Sequence, residues 1–315
     1  MKYPLTPTLL LVLLFFTAQL AGLVIVGEYV DIKQSHATGT TIKNVEVYQR
    51  VGIEPPEVKN ESFTFIIILI AVLIGTGIVL LIIKFKKKML WQVWYLFAVF
   101  FSLVVALNPF VFKVLSQSNL QYVYPATFVL SIILSLLKVF RPNIYIHNLT
   151  EIFIYGGIAA LLVPVINIFS VVLLLILISL YDVYAVWKSK HMIKMAKFQS
   201  VSKVFAGLSL PLPNLKSSKM GKEEKEGRVV KKVRTAILGG GDIAFPLIFS
   251  GVVMKTTGTY FIPFIITSTT TIALLVVLLK AEKGKFYPAM PFLSIGCFVG
   301  LLLAMFLSMV AALLI

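Results

Sequence analysis

Of the thirteen Asp and Glu residues in this 315-residue chain, Asp182 and Asp242 alone are read well inside long apolar stretches. A carboxylate in such a setting is expensive, and its default reading is functional. Asp182 follows Tyr181 near the end of the run 168–187. Asp242 stands directly behind Gly239, Gly240 and Gly241, with Pro246 four residues on. Two carboxylates brought to one site do not readily both ionise, so the pair tends to hold a single proton. That state suits hydrolysis of a peptide bond without a covalent intermediate. The ionised member takes a proton from water while the protonated member polarises the carbonyl. The other use of such a pair is proton or cation transport.

The elements that must position the pair are membrane helices. The chain is 59% apolar and 13% charged, with mean hydropathy +0.96. A soluble domain is roughly half apolar and a quarter charged, so an all-α, polytopic membrane protein is expected. Apolar runs of spanning length recur at 5–27, 63–83, 90–112, 121–140, 149–164, 168–187, 235–254, 259–279 and 287–312. The first is long for a signal-peptide core and is read as a retained span. Residues 28–62, with Gly39, Pro55 and Pro56, read as a sizeable loop in which 41–51 could form strands.

The net charge of +16 resembles a nucleic-acid signal. The basic residues instead cluster beside the apolar runs, so no nucleic-acid partner is expected. Assigned alternately to the connections, 23 of the 29 Lys and Arg fall on one side and six on the other. The positive-inside rule then puts the amino terminus in the cytoplasm and the carboxyl terminus outside. A lone cysteine, Cys297, and three scattered histidines give no disulfide framework and no metal-ligand spacing. The chain divides into an N-terminal bundle 1–187, a basic cytoplasmic loop 188–234 and a C-terminal bundle 235–315.

In this orientation the sixth span runs inward and the seventh outward. Both aspartates then lie roughly 8–11 Å from the cytoplasmic edge at about 1.5 Å per residue. Glu151 is read at a helix end, and no basic residue is read as a partner inside the spans. Helix–helix hydrogen bonding by two unrelated polar residues would not account for the matched depth.

The three glycines permit unusual backbone angles and close approach, although a glycine-rich helix contact is the simpler use in membranes. A helix starting near Gly239 would place Asp242 in its first turn, where the dipole favours negative charge. Pro246 removes the helical donor to the Asp242 carbonyl, so an irregular helix is expected there. Tyr287-Pro288-Ala289-Met290-Pro291 opens the last span at the same face. Residues 191–208 read as an amphipathic continuation of the sixth span, and 208–213 as extended chain that could cover the site.

Tyr181-Asp182, Gly239-Gly240-Gly241-Asp242 and Pro288-Ala289-Met290 together resemble the three signatures of GxGD intramembrane aspartyl proteases, the presenilins, signal peptide peptidases and their archaeal homologues. The likeness covers the chain: nine helices, a long basic loop between spans six and seven, and all three motifs in order. It implies that Asp182 and Asp242 are the catalytic pair. Gly239 and Gly241 would be the defining glycines, and Pro288, Ala289 and Met290 the Pro-Ala-Leu element. Met290 departs from that element, a change that roughly conserves volume. The implied protein is a multi-pass membrane aspartic endopeptidase. It acts on transmembrane helices within the lipid bilayer and needs no metal or organic cofactor. An ion or proton transporter using the same pair is the competing reading, but no internal repeat is visible and both acids lie toward one face.

Overall fold

Apolar runs of twenty or so residues have one stable form in hydrocarbon, because every backbone group must be bonded within its own segment. The computed structural model describes residues 4–58, 60–115, 120–141, 143–189, 191–202, 204–211, 235–281 and 287–313. Among these, α1 is Leu5–Tyr29, followed by two short helices in the first loop, α2 (Ile32–Thr38) and α3 (Val45–Val51). Then come α4 (Thr64–Lys84), α5 (Lys88–Leu115), α6 (Val123–Phe140), α7 (Ile144–Leu162) and α8 (Ile168–Val183). A π-helical turn, Tyr184–Lys188, extends α8 and leads to α9 (His191–Ser202). Beyond a two-stranded ribbon, β1 (Gly207–Pro211) and β2 (Thr235–Gly239), lie α10 (Gly240–Thr257), α11 (Phe261–Lys280) and α12 (Met290–Leu313).

Eight of the described helical segments are long and apolar enough to cross a membrane: those built on α1, α4–α8, α11 and α12. The ninth long helix, α10, carries Asp242 and Lys255 and is about 27 Å long at 1.5 Å per residue, close to the ~30 Å hydrocarbon thickness. It can afford those charges because other helices surround it. It packs on α1, α2, α7, α8, α11 and α12, and its residues from Leu247 to Lys255 are all buried. Its apolar side chains belong to the main core with Leu11 and Phe15 of α1, Leu174 and Leu175 of α8, and Leu293 of α12. By contrast α4 buries only Thr64, Ile68, Val79 and Ile82 and turns the rest of its apolar surface outward.

Three local expectations are corrected. Residues 41–51 form no strand beyond an isolated bridge of Lys43 with Val30. Val47, Tyr48 and Val51 share the helical spacing that buries them. Tyr48 Oη also donates to the Ala160 carbonyl at 2.7 Å, and Gly52 closes α3 in the left-handed region. The seventh span does not begin as helix at 235: residues 235–239 are β2, paired antiparallel with β1 in the register Gly207↔Gly239, Leu208↔Leu238, Ser209↔Ile237. The fifth span begins at Ile144 rather than 149, capped by Asn143, whose Oδ1 accepts from the Tyr145 amide. Glu151 is therefore one turn or more inside α7 and buried, not at a helix end.

Candidate active site

Asp182 is in the last turn of α8 and buried. Its Oδ2 accepts a hydrogen bond from the Met290 amide at 3.2 Å, and the Ala289 amide also faces the carboxylate. Met290 is the first residue of α12, so the carboxylate sits against a helix N-terminus, where unpaired amides and the dipole accommodate negative charge. One turn earlier Ser179 Oγ lies 2.8 Å from Ser294 Oγ. The hydroxyl pair and the amide bond tie α8 to α12 at Asp182 and one turn before it.

Asp242 is the third residue of α10, whose N-cap is Gly239. The Gly239 amide faces its carboxylate, and Asp182 is close enough to act on it coulombically. Asp242 is half-buried and Gly241 exposed, so one member of the pair borders open space while the other is enclosed. Each carboxylate thus meets a helix N-terminus, Asp182 that of α12 and Asp242 that of its own helix, α10. The α10 helix continues without a break through Pro246, correcting the expected irregularity after Asp242. Gln19 of α1 donates to the neighbouring Ile243 carbonyl at 2.8 Å.

The glycines serve close approach rather than unusual angles. None of Gly239, Gly240 and Gly241 has positive φ. A Cβ on Gly240 would lie 2.6 Å from Tyr155 Oη, so the start of α10 abuts α7 only without a side chain there. The glycine with the demanding backbone is one that sequence reading passed over: Gly207 in β1, at φ 138°, where a Cβ would lie 2.0 Å from the Leu238 carbonyl oxygen.

Tyr181 does not reach toward the carboxylates. Its hydroxyl donates to Thr76 Oγ1 of α4 at 3.2 Å and lies 2.9 Å from His191 Nε2. It thus links α8 to α4 and α9. Pro288 is buried and Ala289 half-buried beside the Asp182 contact.

Sequence reading also missed a buried charged cluster behind the ribbon. Lys138 of α6 and Glu151 of α7 form an ion pair at 2.6 Å with both side chains 1% exposed. Lys138, near the end of the apolar run 121–140, is buried inside α6. Tyr95 of α5 and Tyr155 of α7 also hydrogen-bond to this carboxylate. From the same helix, His147 Nε2 donates to the Gly207 carbonyl at 2.8 Å. Asn148 meets Ser209 twice: its Nδ2 donates to the Ser209 carbonyl at 2.8 Å and its Oδ1 accepts from the Ser209 amide at 3.0 Å. Side chains of α7 therefore satisfy the edge of β1 that faces away from β2. Strand alternation then directs the backbone groups of Ile237 and Gly239 away from β1, and among the described residues no third strand covers that edge of β2.

Two acidic side chains at helix ends thus lie near each other inside a multi-pass helical bundle. Residues 40–310 match the family model described as "Signal-peptide peptidase, presenilin aspartyl protease", and the chain belongs to that family. It is by this membership an intramembrane aspartic endopeptidase. Two solved structures, each described as a presenilin family intramembrane aspartate protease, one in space group C222 and one in P2, share the fold. Each has a TM-score of 0.63 at 17% identity and covers 96% of this chain, with 99% and 98% of their own chains covered. No curated protein matches the chain significantly.

Proposed function

We propose that the chain hydrolyses peptide bonds in or beside the transmembrane helices of other membrane proteins, with Asp182 and Asp242 as the catalytic pair. The observation that carries this reading is that two carboxylates, one in the last turn of α8 and one in the first turn of α10, lie near enough to interact inside the bundle. Sharing one proton, the ionised member removes a proton from water, which attacks the scissile carbonyl. The protonated member polarises that carbonyl and then supplies the proton needed by the leaving amine.

A helical amide is tied to the carbonyl four residues back, so the substrate must unwind locally before water can reach it. The outer edge of β2, ending at Gly239, and the segment Pro288-Ala289-Met290-Pro291 offer backbone groups on either side of the pair. An unwound substrate strand would lie between them by backbone pairing. Gly240 and Gly241 keep the start of α10 narrow, and Tyr181 holds the Asp182 turn against α4 and α9. Charge asymmetry supports an amino terminus in the cytoplasm and a carboxyl terminus outside. The division into 1–187, 188–234 and 235–315 follows from placing one aspartate in each bundle.

The test gives purified protein in lipid a tagged single-span substrate, beside Asp182→Asn and Asp242→Asn. Cleavage by the parent and by neither variant is expected. Cleavage persisting in either variant would falsify the assignment of the pair. Asp-dependent ion flux into liposomes without cleavage of any substrate would favour a transporter.

A further inference from the structure

The buried pair Lys138–Glu151 lies outside the candidate catalytic pair, yet its contacts lead there. Burying an ion pair is costly unless every lone pair and proton is satisfied. Here Glu151 is saturated. Its Oε1 accepts from Lys138 at 2.6 Å and lies 3.0 Å from Tyr95 Oη; its Oε2 accepts from Tyr155 and, at 3.1 Å, from the Gly207 amide. Lys138 is saturated too, donating also to Thr150 Oγ1 at 3.0 Å and facing the His147 carbonyl at 3.3 Å.

Two of these bonds run toward the site. The Gly207 amide belongs to β1, and Gly207 is the register partner of Gly239, the N-cap of the Asp242 helix. Tyr155 Oη is the atom that a Cβ on Gly240 would meet. One carboxylate thus fixes both the strand that pairs with Gly239 and the ring that backs Gly240. The pair therefore supports, through Gly207 and Tyr155, the two glycines that precede Gly241-Asp242.

We infer that Glu151 is a positioning residue for Asp242, acting through the ribbon and Tyr155, with Lys138 as its countercharge. This rests on the proteolytic reading above for its catalytic consequence, but its structural part stands separately.

The test separates positioning from mere stability. The double variant Glu151→Leu with Lys138→Met leaves no lone buried ion, but it deprives the Tyr95 and Tyr155 hydroxyls and the Gly207 amide of their acceptor. Its unfolding temperature should fall, and kcat on a single-span substrate, measured well below that temperature, should fall on the order of 100-fold, as for a small misplacement of a reacting group. Hydrogen exchange should rise in peptides covering 207–211 and 235–242 and stay unchanged in α11 and α12. Unchanged kcat overturns the proposal, whether or not exchange rises. A fall in kcat without a rise in exchange also overturns it, because the pair would then act by another route.

If the double variant does not fold, Tyr155→Phe, which removes one hydroxyl, decides instead. A fall of about 10-fold in kcat is expected for losing a hydrogen bond to a charged group, with the same local rise in exchange; constancy of either measurement overturns the proposal. A parent that cleaves nothing would count against the protease reading, and the exchange readout would still decide whether Glu151 holds the ribbon.

Discussion

The Met290 amide donates to Asp182 Oδ2 at 3.2 Å, so the last helix reaches the first aspartate through main chain. The bond does not depend on which side chain residue 290 carries. This accounts for a motif in which Met stands where Leu is usual, since either residue presents the same N–H.

A matched pair of substitutions tests that relationship. Met290→Leu should leave kcat within about threefold, because a volume-conserving swap perturbs packing little. Met290→Pro removes the N–H at the first position of α12, where proline is sterically welcome. It should lower kcat at least ~10-fold, in line with a lost hydrogen bond to a charged group. Steady-state cleavage of one substrate by both variants checks this, and equal rates would refute it.

The glycines should separate by position. A Cβ on Gly240 would lie 2.6 Å from Tyr155 Oη, whereas one on Gly241 would lie 3.6 Å from Phe245. Gly240→Ala should therefore lower the unfolding temperature in detergent. Gly241→Ala should keep or slightly raise it, since alanine in a helix is favoured by roughly 0.5–1 kcal/mol over glycine.

Protonation of His191 should loosen the junction of α8, α9 and α4. Its pKa is lowered from the ordinary 6.5 by burial and then by the neighbouring Lys194 cation. The unfolded chain therefore binds the proton more tightly than the folded one. The His191 contribution is fully present above pH 6.5 and falls as pH drops through that value toward the lower folded pKa. Unfolding temperature followed from pH 7.5 to 5.5 should show a loss in the parent that is smaller in His191→Gln. Parallel curves would exclude the effect.

Tyr48→Phe supplies a test remote from the site. Its hydroxyl, buried against the Ala160 carbonyl at 2.7 Å, should contribute about 1 kcal/mol, the phenol being held neutral by burial, which raises its pKa. Removing it should lower the unfolding temperature and leave kcat unchanged. A loss of kcat at unchanged stability would instead tie the far-side loop to the chemistry.

Hydropathy made the long helices legible, and two acids at matched depth pointed to one site, because an isolated carboxylate in an apolar run has few innocent explanations. Glu151 and Lys138 were hidden for a related reason. Each lies where an apolar run meets a polar connection, so the charge reads as helix-end or loop; only the packing of α6 on α7 turns two boundary charges into one buried pair. The ribbon was hidden because its strands are five residues each, too short for alternation to compete with the spanning pattern of 235–254. Gly207 gave no signal, since its positive φ is imposed by the pairing with β2 and not by its neighbours in sequence.

The ribbon's asymmetry has one more consequence. With the β1 side occupied by Glu151, His147 and Asn148, an extended chain adding to this ribbon would find, among the described residues, only the outer side of β2. A substrate, a short inhibitory peptide and a strand from a neighbouring copy would be mutually exclusive visitors. Raising the amount of either of the last two in the bilayer would then act as competitive inhibition.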